Sequence, residues 1–498
     1  IYYENAIVKV YDFPIFYFPR LSHPDPSVDR RSGFLVPTLY DTKNLGSSVS
    51  IPYFFNLGLD KNLTLTNRVY VSENPLFFGE YHQAFKDSSL LTDFSYTEGY
   101  KKTSEKKRSG EKKHFFTKFV KNYTNEYNYE NVLEVNVQKV TNDKYLKLYK
   151  IESNLVDYNK ENIENSINFS QERNNLFVGF NASVYETLKS DYNDKYEYIL
   201  PEITIDKNLF SKENFGNLEL QTNYKVHNYD TNKLTNFLVN DFNFESEENI
   251  FDNIIHSKFL ANLKNINYES KNVDIYKKDQ TSEIFGSIGL LSEISFQKLK
   301  NLSKHSLKPK MLVRLSPGSM RQEISGSRLT PSSAFGMNRV DNINNYETGI
   351  TGTVGFDYKI KKDNVTKFDF SLAQIINEKE NKKMANKSSL NEKLSDLVGS
   401  SKYNLSENFK LDYNFSIDQN YNDFNYNEVG ATYDNGTLNI GFNYLNENKH
   451  IGDQNYFKTE LNIKNKNKGL LSFKTKRNLI TNSSEFYNLS YEYINDCL

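Results

Sequence analysis

The sequence lacks several features that would place it in common protein classes. It contains no tryptophan and one cysteine, and its formal net charge is −1 with a pI near 6.8. No stretch approaches the roughly 18 apolar residues that a membrane-spanning helix needs. The balanced charge gives no electrostatic argument for binding nucleic acid. With a single cysteine, no disulfide can form within the chain.

Motifs for catalysis and metal binding are also missing. The seven histidines are scattered, and none lies in an HExxH or other metal-ligand spacing. No Walker A or GxSxG sequence occurs, and the glycines of 349–355 are not in the GxGxxG order. The sequence therefore predicts a protein that is not an enzyme, without a cofactor or a metal site.

Aromatic residues are abundant despite the absence of tryptophan. Tyrosine and phenylalanine each occur 36 times, while the mean hydropathy is −0.69. Tyrosine and phenylalanine at this level fit the aromatic girdles of a membrane barrel, with tyrosine in place of tryptophan. They also fit any all-β protein rich in strand-forming residues.

Apolar and polar residues alternate over segments of about ten residues from residue 32 onward. The clearest segment is 409–417, and 354–360 and 438–444 follow the same pattern. Asp434-Asn435-Gly436 predicts a hairpin turn before the last of these. Period two over about ten residues is typical of transmembrane β-strands, whereas strands of soluble sandwiches are usually about five or six residues long.

The fold class predicted is therefore all-β, with a large antiparallel transmembrane barrel. About 17 residues per strand and loop would give some two dozen strands, which is within the range of such barrels. A soluble all-β adhesin or surface-layer protein remains a more distant alternative.

Two prolines fall in the first two predicted barrel strands. Pro37 and Pro52 have no backbone N–H to donate to a neighbouring strand. At a seam that must open, each missing hydrogen bond lowers the free energy needed to separate the strands. The pattern predicts a weak point in each of these two strands.

The residues around these prolines point to a family. The matching segments are 13–19 (FPIFYFP), 30–37 (RRSGFLVP), 52–56 (PYFFN), Asp60 and 63–66 (LTLT). In order, spacing and residue type they resemble the LPS-assembly outer-membrane protein family (LptD, also called OstA). The family motif near the predicted gate comprises Arg30, Arg31, Ser32, Gly33, Phe34, Tyr53 and Asn56.

This sequence departs from the family pattern at three positions. Phe55 stands where the family usually has tryptophan, and Leu59 where it usually has proline. A second resemblance covers 307–317, 334–341 and 347–349, where Asn338 replaces the usual acidic residue before an arginine.

The resemblance implies a domain organisation and a function. Residues 1–30 would be the end of a periplasmic β-jelly-roll with a linker. Residues 31–498 would be the outer-membrane barrel, with its last strands missing, so that the barrel is open and its first strand unpaired on one side. Lipopolysaccharide would pass through the barrel of a Gram-negative bacterium and leave sideways through a lateral gate at Pro37 and Pro52.

The resemblance also implies partners. A small plug lipoprotein (LptE-like) would occupy the lumen, and periplasmic LPS-bridge proteins would deliver lipopolysaccharide through the jelly-roll. Arg30 and Arg31 would either steady lipid phosphates at the entrance or form a salt bridge that stabilises a turn. Cys497 resembles one of a pair of family cysteines that bond to the N-terminal domain, and its partner is not in this chain.

The main alternative is another outer-membrane barrel, such as a porin or a siderophore receptor. Such a protein needs a plug domain or a constriction loop, and the sequence shows neither.

Overall fold

The computed structural model describes residues 2–10, 13–22, 30–42, 44–104, 107–189, 194–251, 254–324, 326–386, 388–448, 454–464 and 469–493. Strands dominate this part of the chain. Its helical content is one short α-helix, α1 (Tyr145–Tyr149), and one 3-10 turn at Ser333–Phe335. Within the described ranges, no helix is both long and apolar enough to cross a membrane.

The strands are numbered in chain order. They are β1 (Tyr2–Val10), β2 (Phe13–Ser22), β3 (Gly33–Phe34), β4 (Thr38–Thr42), β5 (Gly46–Asn56), β6 (Lys61–Tyr70), β7 (Leu76–Ala84), β8 (Ser88–Ser104), β9 (Lys107–Thr124), β10 (Glu130–Val140), β11 (Asn162–Arg173), β12 (Leu176–Thr187), β13 (Tyr196–Lys212), β14 (Gly216–Tyr229) and β15 (Lys233–Ser246). The remaining strands are β16 (Asn249–Phe251), β17 (Ile255–Lys271), β18 (Thr281–Ile294), β19 (Phe296–Lys300), β20 (Ser303–Ser316), β21 (Gly349–Lys362), β22 (Val365–Asn377), β23 (Leu397–Asn404), β24 (Phe409–Ile417), β25 (Phe424–Asp434), β26 (Leu438–Glu447), β27 (Gln454–Lys464), β28 (Gly469–Asn478) and β29 (Ser483–Tyr493).

The first two strands form a sheet of their own. β1 and β2 pair antiparallel, and neither belongs to the large sheet that follows. The assignment of β1 and β2 to the end of a jelly-roll stays a prediction, and residues 23–29, which would include the linker, lie outside the described residues.

Strands β3–β29 form one large antiparallel sheet that curls into a barrel. Three wall strands are each divided into two segments. β3 and β4 both pair with β5, β15 and β16 both pair with β17, and β18 and β19 both pair with β20. Counted over the residues that the structure describes, the wall thus has 24 strands, which confirms the predicted all-β barrel of some two dozen strands.

The outer face of the wall carries apolar side chains. Leu290 on β18 lies opposite Phe259 on β17 and Val313 on β20, and all three are exposed. Because successive side chains of a strand point to opposite faces, the residues between them face the lumen. That inner face is polar, with ion pairs such as Lys310 to Asp357 at 2.5 Å.

The two ends of the barrel differ in the length of their connections. At one end the strands are joined by short turns, such as 174–175 and 363–364. At the other end lie three long loops, 141–161, 317–348 and 378–396. Outer-membrane barrels have short periplasmic turns and long extracellular loops, so this asymmetry indicates the orientation of the wall.

The strand order brings the last strand, β29, next to the first around the ring. Among the described residues, however, no register pairs β29 with β3 or β4; its described partner is β28. Its side chains, including Tyr487 and Leu489, are exposed. The open barrel expected from the sequence stays a prediction.

A charge on the outer face tests this orientation of the wall. We expect Val313→Arg to destabilise the membrane-inserted barrel by about 2–4 kcal/mol if the residue lies near the bilayer midplane. The matched control is Thr432→Arg on the inner face, which lines a luminal hollow together with Asp412 and Glu460. Urea titration of the barrel refolded in lipid vesicles measures both. Equal destabilisation by the two variants would contradict the assignment of faces.

Candidate functional site at the first strands of the barrel

The first wall strand is interrupted. β3 pairs with β5 through Gly33 opposite Phe54 and Phe34 opposite Tyr53. The pairing resumes at β4, where Thr38 lies opposite Ser50. Three residues, 35–37, therefore face only two residues, 51–52, which is the arrangement of a β-bulge.

Both prolines predicted as weak points lie in this interruption. Pro37 is in the break between β3 and β4, and Pro52 lies opposite the break on β5. The carbonyl of Pro52 accepts a hydrogen bond from the Leu35 N–H at 2.9 Å. In an antiparallel strand, the N–H and the C=O of one residue point towards the same neighbouring strand. The N–H that proline lacks at position 52 would therefore also have pointed towards the first wall strand.

The other motif residues contact one another at the C-terminal end of β5. The Asn56 side-chain amide donates to the Arg30 carbonyl at 2.5 Å, and the Asn56 N–H donates to Ser32 Oγ at 2.9 Å. The rings of Phe34 and Tyr53 meet edge to face, with centroids 4.8 Å apart. These contacts fasten the start of the first strand to the second strand.

The two arginines remain exposed at this position. The guanidinium of Arg30 lies 5.9 Å from the centroid of the Phe54 ring. Both expected roles of Arg30 and Arg31, toward lipid phosphates or in a salt bridge that stabilises a turn, stay predictions.

The structure does not test two further expectations, the disulfide of Cys497 and the absence of a metal site. Cys497 lies outside the described residues. In the described ranges, no group of three or more His, Cys, Asp or Glu side chains is placed to hold a metal ion.

A loop beside the gate was not anticipated from the sequence. Residues 141–161, with α1, pack on the luminal face of the first strands. Tyr145, Tyr149 and Ile151 are almost fully buried there, in a cluster that also contains Tyr70 of β6 and Phe116 of β9. Burial raises the pKa of the Tyr149 hydroxyl to about 12. No motif marks this loop, because its apolar residues have neither strand nor long-helix periodicity.

A second long loop also lies against the inner wall. Residues 317–348 bury Met320, Leu329 and Ala334 against Ala373 and other inward-facing residues of β22 and β23. The sequence showed no sign of a constriction loop, and the structure places this loop against the inner wall. Sequence patterns distinguish polar loops from strands, but they do not show that a loop folds back into the lumen.

This second loop is fixed by a buried charge cluster. The Arg339 Nε donates to the Glu347 carboxylate at 2.7 Å, and Arg314 Nη1 lies 3.8 Å from the same carboxylate. Arg314, Arg339 and Glu347 are all buried. Asn338, the departure from the family pattern, accepts the Glu347 N–H on its Oδ1 at 3.0 Å. The three segments of the second resemblance thus meet at one carboxylate.

The charge of Glu347 is maintained by its two partners. Burial alone would raise the pKa of Glu347, but the positive charges of Arg339 and Arg314 outweigh it and hold that pKa below its usual value. The carboxylate therefore stays ionised between two guanidinium groups.

Removing this carboxylate should loosen the loop. We expect Glu347→Gln to destabilise the folded barrel by about 3 kcal/mol, because two buried guanidinium groups lose their counter-charge. The measurement is the unfolding temperature in detergent, with limited proteolysis of 317–348. Glu378→Gln is the control, since Glu378 and its partner Lys379 are exposed and 3.8 Å apart. A comparable loss in the control would refute the assigned role of the cluster.

The cluster also predicts a pH dependence. A depressed pKa in the folded state means that Glu347 contributes its full stabilisation above the ordinary value of 4.5 and loses it as the pH falls through the folded-state pKa. The difference in unfolding temperature between the wild type and Glu347→Gln should therefore shrink in strongly acidic buffer. A difference that stays constant with pH would contradict this assignment.

Comparisons with known proteins agree with the motif. The family model "LPS transport system D" (LptD) matches residues 115–468. The LPS-assembly protein LptD of Francisella tularensis subsp. holarctica (strain OSU18) is 32% identical over 150 residues, which are 28% of this chain and 17% of that protein. The LptD of Methylococcus capsulatus is 42% identical over 80 residues, 16% of this chain and 8% of the relative.

The chain therefore spans only a small part of the length of the curated relatives that it matches. A solved barrel, the ferric preacinetobactin receptor BauA from Acinetobacter baumannii, is 9% identical with a TM-score of 0.32, over 94% of this chain and 78% of the receptor. Its structural similarity is too weak to support a receptor. The family match extends over more than half of the residues, and the chain belongs to the LPS transport system D (LptD) family.

Proposed function

We propose that this chain is the wall of a lipopolysaccharide translocon in the outer membrane of a Gram-negative bacterium. The observation that carries the proposal is that Pro37 lies in the break of the first wall strand and Pro52 lies opposite that break on the second, in a barrel of the LptD family. Lipopolysaccharide enters the lumen and leaves sideways through this lateral gate into the outer leaflet.

The chemistry of the cargo explains the need for such a gate. An amphiphile with a large sugar head cannot cross an intact wall of paired strands. When the first strands separate from the last, the head group stays in the polar lumen while the acyl chains enter lipid. No step of this transport requires a catalytic residue.

The inner wall offers a suitable surface for a sugar head. A hollow of about 290 Å³ lies on β24–β27 and is lined by Asp412, Asn414, Glu428 and Lys458. Carboxylates, amides and ammonium groups match the hydroxyls and phosphates of a glycolipid. The long loops would face outward and the short turns the periplasm.

The partners belong to the same proposal. A plug lipoprotein of the LptE kind would share the lumen with the two inward-folded loops. Periplasmic LPS-bridge proteins would deliver the cargo through the jelly-roll, of which β1 and β2 would be the end. The bond to Cys497 would tie the barrel to that domain.

A porin is the second candidate, and the luminal loop 317–348 is the observation that favours it. Such loops narrow the pores of diffusion channels. The two functions differ in their substrate path, since a porin passes solutes along the barrel axis and never opens its wall.

Restoring the missing donors should stiffen the gate. We expect the double variant Pro37→Ala/Pro52→Ala to slow delivery of lipopolysaccharide several-fold, because each new N–H can add a hydrogen bond of about 1 kcal/mol across the first strands. The measurement is the rate at which labelled lipopolysaccharide reaches the cell surface. Pro309→Ala is the matched control, since Pro309 lies within β20, far along the wall from the gate. Unchanged delivery in the double variant would refute the gate assignment.

Direct contact with the cargo tests the proposal as a whole. A photoreactive residue is placed at Leu35, within the break, or at Ile51, opposite it, in the full-length protein in cells; both side chains are exposed. Adducts with lipopolysaccharide are expected at both sites and not at Val313, on the outer face of β20. Normal assembly in the outer membrane without adducts would favour the porin.

A further inference from the structure

One side chain joins the gate to the luminal loop. Arg68 projects from β6 into the lumen, and its Nε donates to Ser50 Oγ on β5 at 2.8 Å. Its Nη1 donates to the carbonyl of Tyr149, at the end of α1, at 2.6 Å. Its guanidinium also lies 4.1 Å from the centroid of the Tyr40 ring on β4. A single guanidinium thus contacts the interrupted first strand, the strand beside it and the loop.

The loop end of this contact is rigidly placed. The Tyr145 hydroxyl lies 2.6 Å from Ser95 Oγ on β8, and Ser153 is hydrogen-bonded to Asp93 on the same strand. Lys195 pairs with Asp143 at 2.9 Å near the start of the loop. The loop is therefore hydrogen-bonded to β8, which is farther along the wall from the first strand. The Tyr149 carbonyl is thereby held in a fixed position.

At the other end of this contact, backbone pairing holds the first wall strand only over short segments. β4 has five residues, and beyond it the break at 35–37 separates it from the two-residue β3. The ring of Tyr40 on β4 faces Arg68 on the luminal side. The contact between Tyr40 and Arg68 therefore adds to the five residue pairs that join β4 to β5.

The groups that contact the Arg68 guanidinium are uncharged. Among the described residues, its contacts are the hydroxyls of Ser50 and Tyr70, a carbonyl and an aromatic ring, and it forms no ion pair with a carboxylate. Each of these contacts is individually weaker than a buried ion pair, so they can separate and reform as the gate moves.

We propose that Arg68 is a positioning residue that couples the first wall strand to the luminal loop 141–161, so that gate opening and loop displacement occur together. This coupling deepens the proposed function and rests on it for its biological meaning. The coupling itself is a property of the barrel and exists without cargo. By linkage, loosening the loop must loosen the first strand, and the reverse.

Hydrogen–deuterium exchange of the purified full-length protein tests the coupling without lipopolysaccharide. In Arg68→Ala, amides of 38–42 and of 145–151 should both exchange about tenfold faster. Amides of the other luminal loop, 317–348, should be unchanged. Arg173→Ala is the matched control, because Arg173 also stacks on a ring, that of Tyr129 at 5.1 Å, but away from the gate; it should alter neither segment.

Two further variants separate coupling from local packing. Arg68→Lys keeps the charge, but one ammonium cannot span three partners, so it should reproduce the faster exchange in at least one of the two segments. Leu146→Ala loosens the loop from a site that does not touch Arg68, and it should speed exchange of 38–42 as well. In the Arg68→Ala background, Leu146→Ala should no longer affect 38–42.

The outcomes decide the proposal. Faster exchange in only one segment of Arg68→Ala, or an effect of Leu146→Ala on 38–42 that persists without Arg68, would overturn the coupling. If exchange behaves as expected while photocrosslinking at Leu35 and Ile51 yields no lipopolysaccharide, the coupling stands and the proposed transport function fails.

Discussion

The structure depends on the requirement that every backbone amide of a membrane wall has a hydrogen-bond partner. Lipid offers no donors or acceptors, so the ladders between wall strands must be nearly continuous. In this chain the ladder between the first two wall strands is broken once, and Pro37 and Pro52 both lie at that break. The pairing of the first two wall strands is therefore weaker at this point than in a regular antiparallel ladder.

The lumen compensates for this weakness. Two long loops fold back against the inner wall, one fastened by the buried Glu347 cluster and the other by a buried aromatic cluster beside the gate. The first contains strong charge pairs and is suited to stay in place. The second reaches the gate through the neutral contacts of Arg68, which can be exchanged at lower free energy. The two loops are thus held by different kinds of contact, one by buried charges and the other by neutral groups.

The sequence predicted much of the wall and of the gate motif. The alternation in 409–417 and 438–444 matches β24 and β26, and the turn between β25 and β26 includes Asn435 and Gly436. Contacts within the lumen were not predicted. Arg68 and Tyr149 are 81 positions apart in sequence, and a loop that enters the lumen has the same composition as a loop that leaves it.

The sequence by itself determined the all-β class, the approximate number of strands and the prolines at the gate, because period two and the missing proline donor are local properties of the chain. Only the tertiary structure decided that Pro52 lies opposite the break that contains Pro37, that residues 317–348 pack against the inner wall, and that Arg68 contacts both the first wall strand and a loop. These features depend on the register between strands and on the curvature of the sheet, which bring distant residues together through packing that no local pattern records.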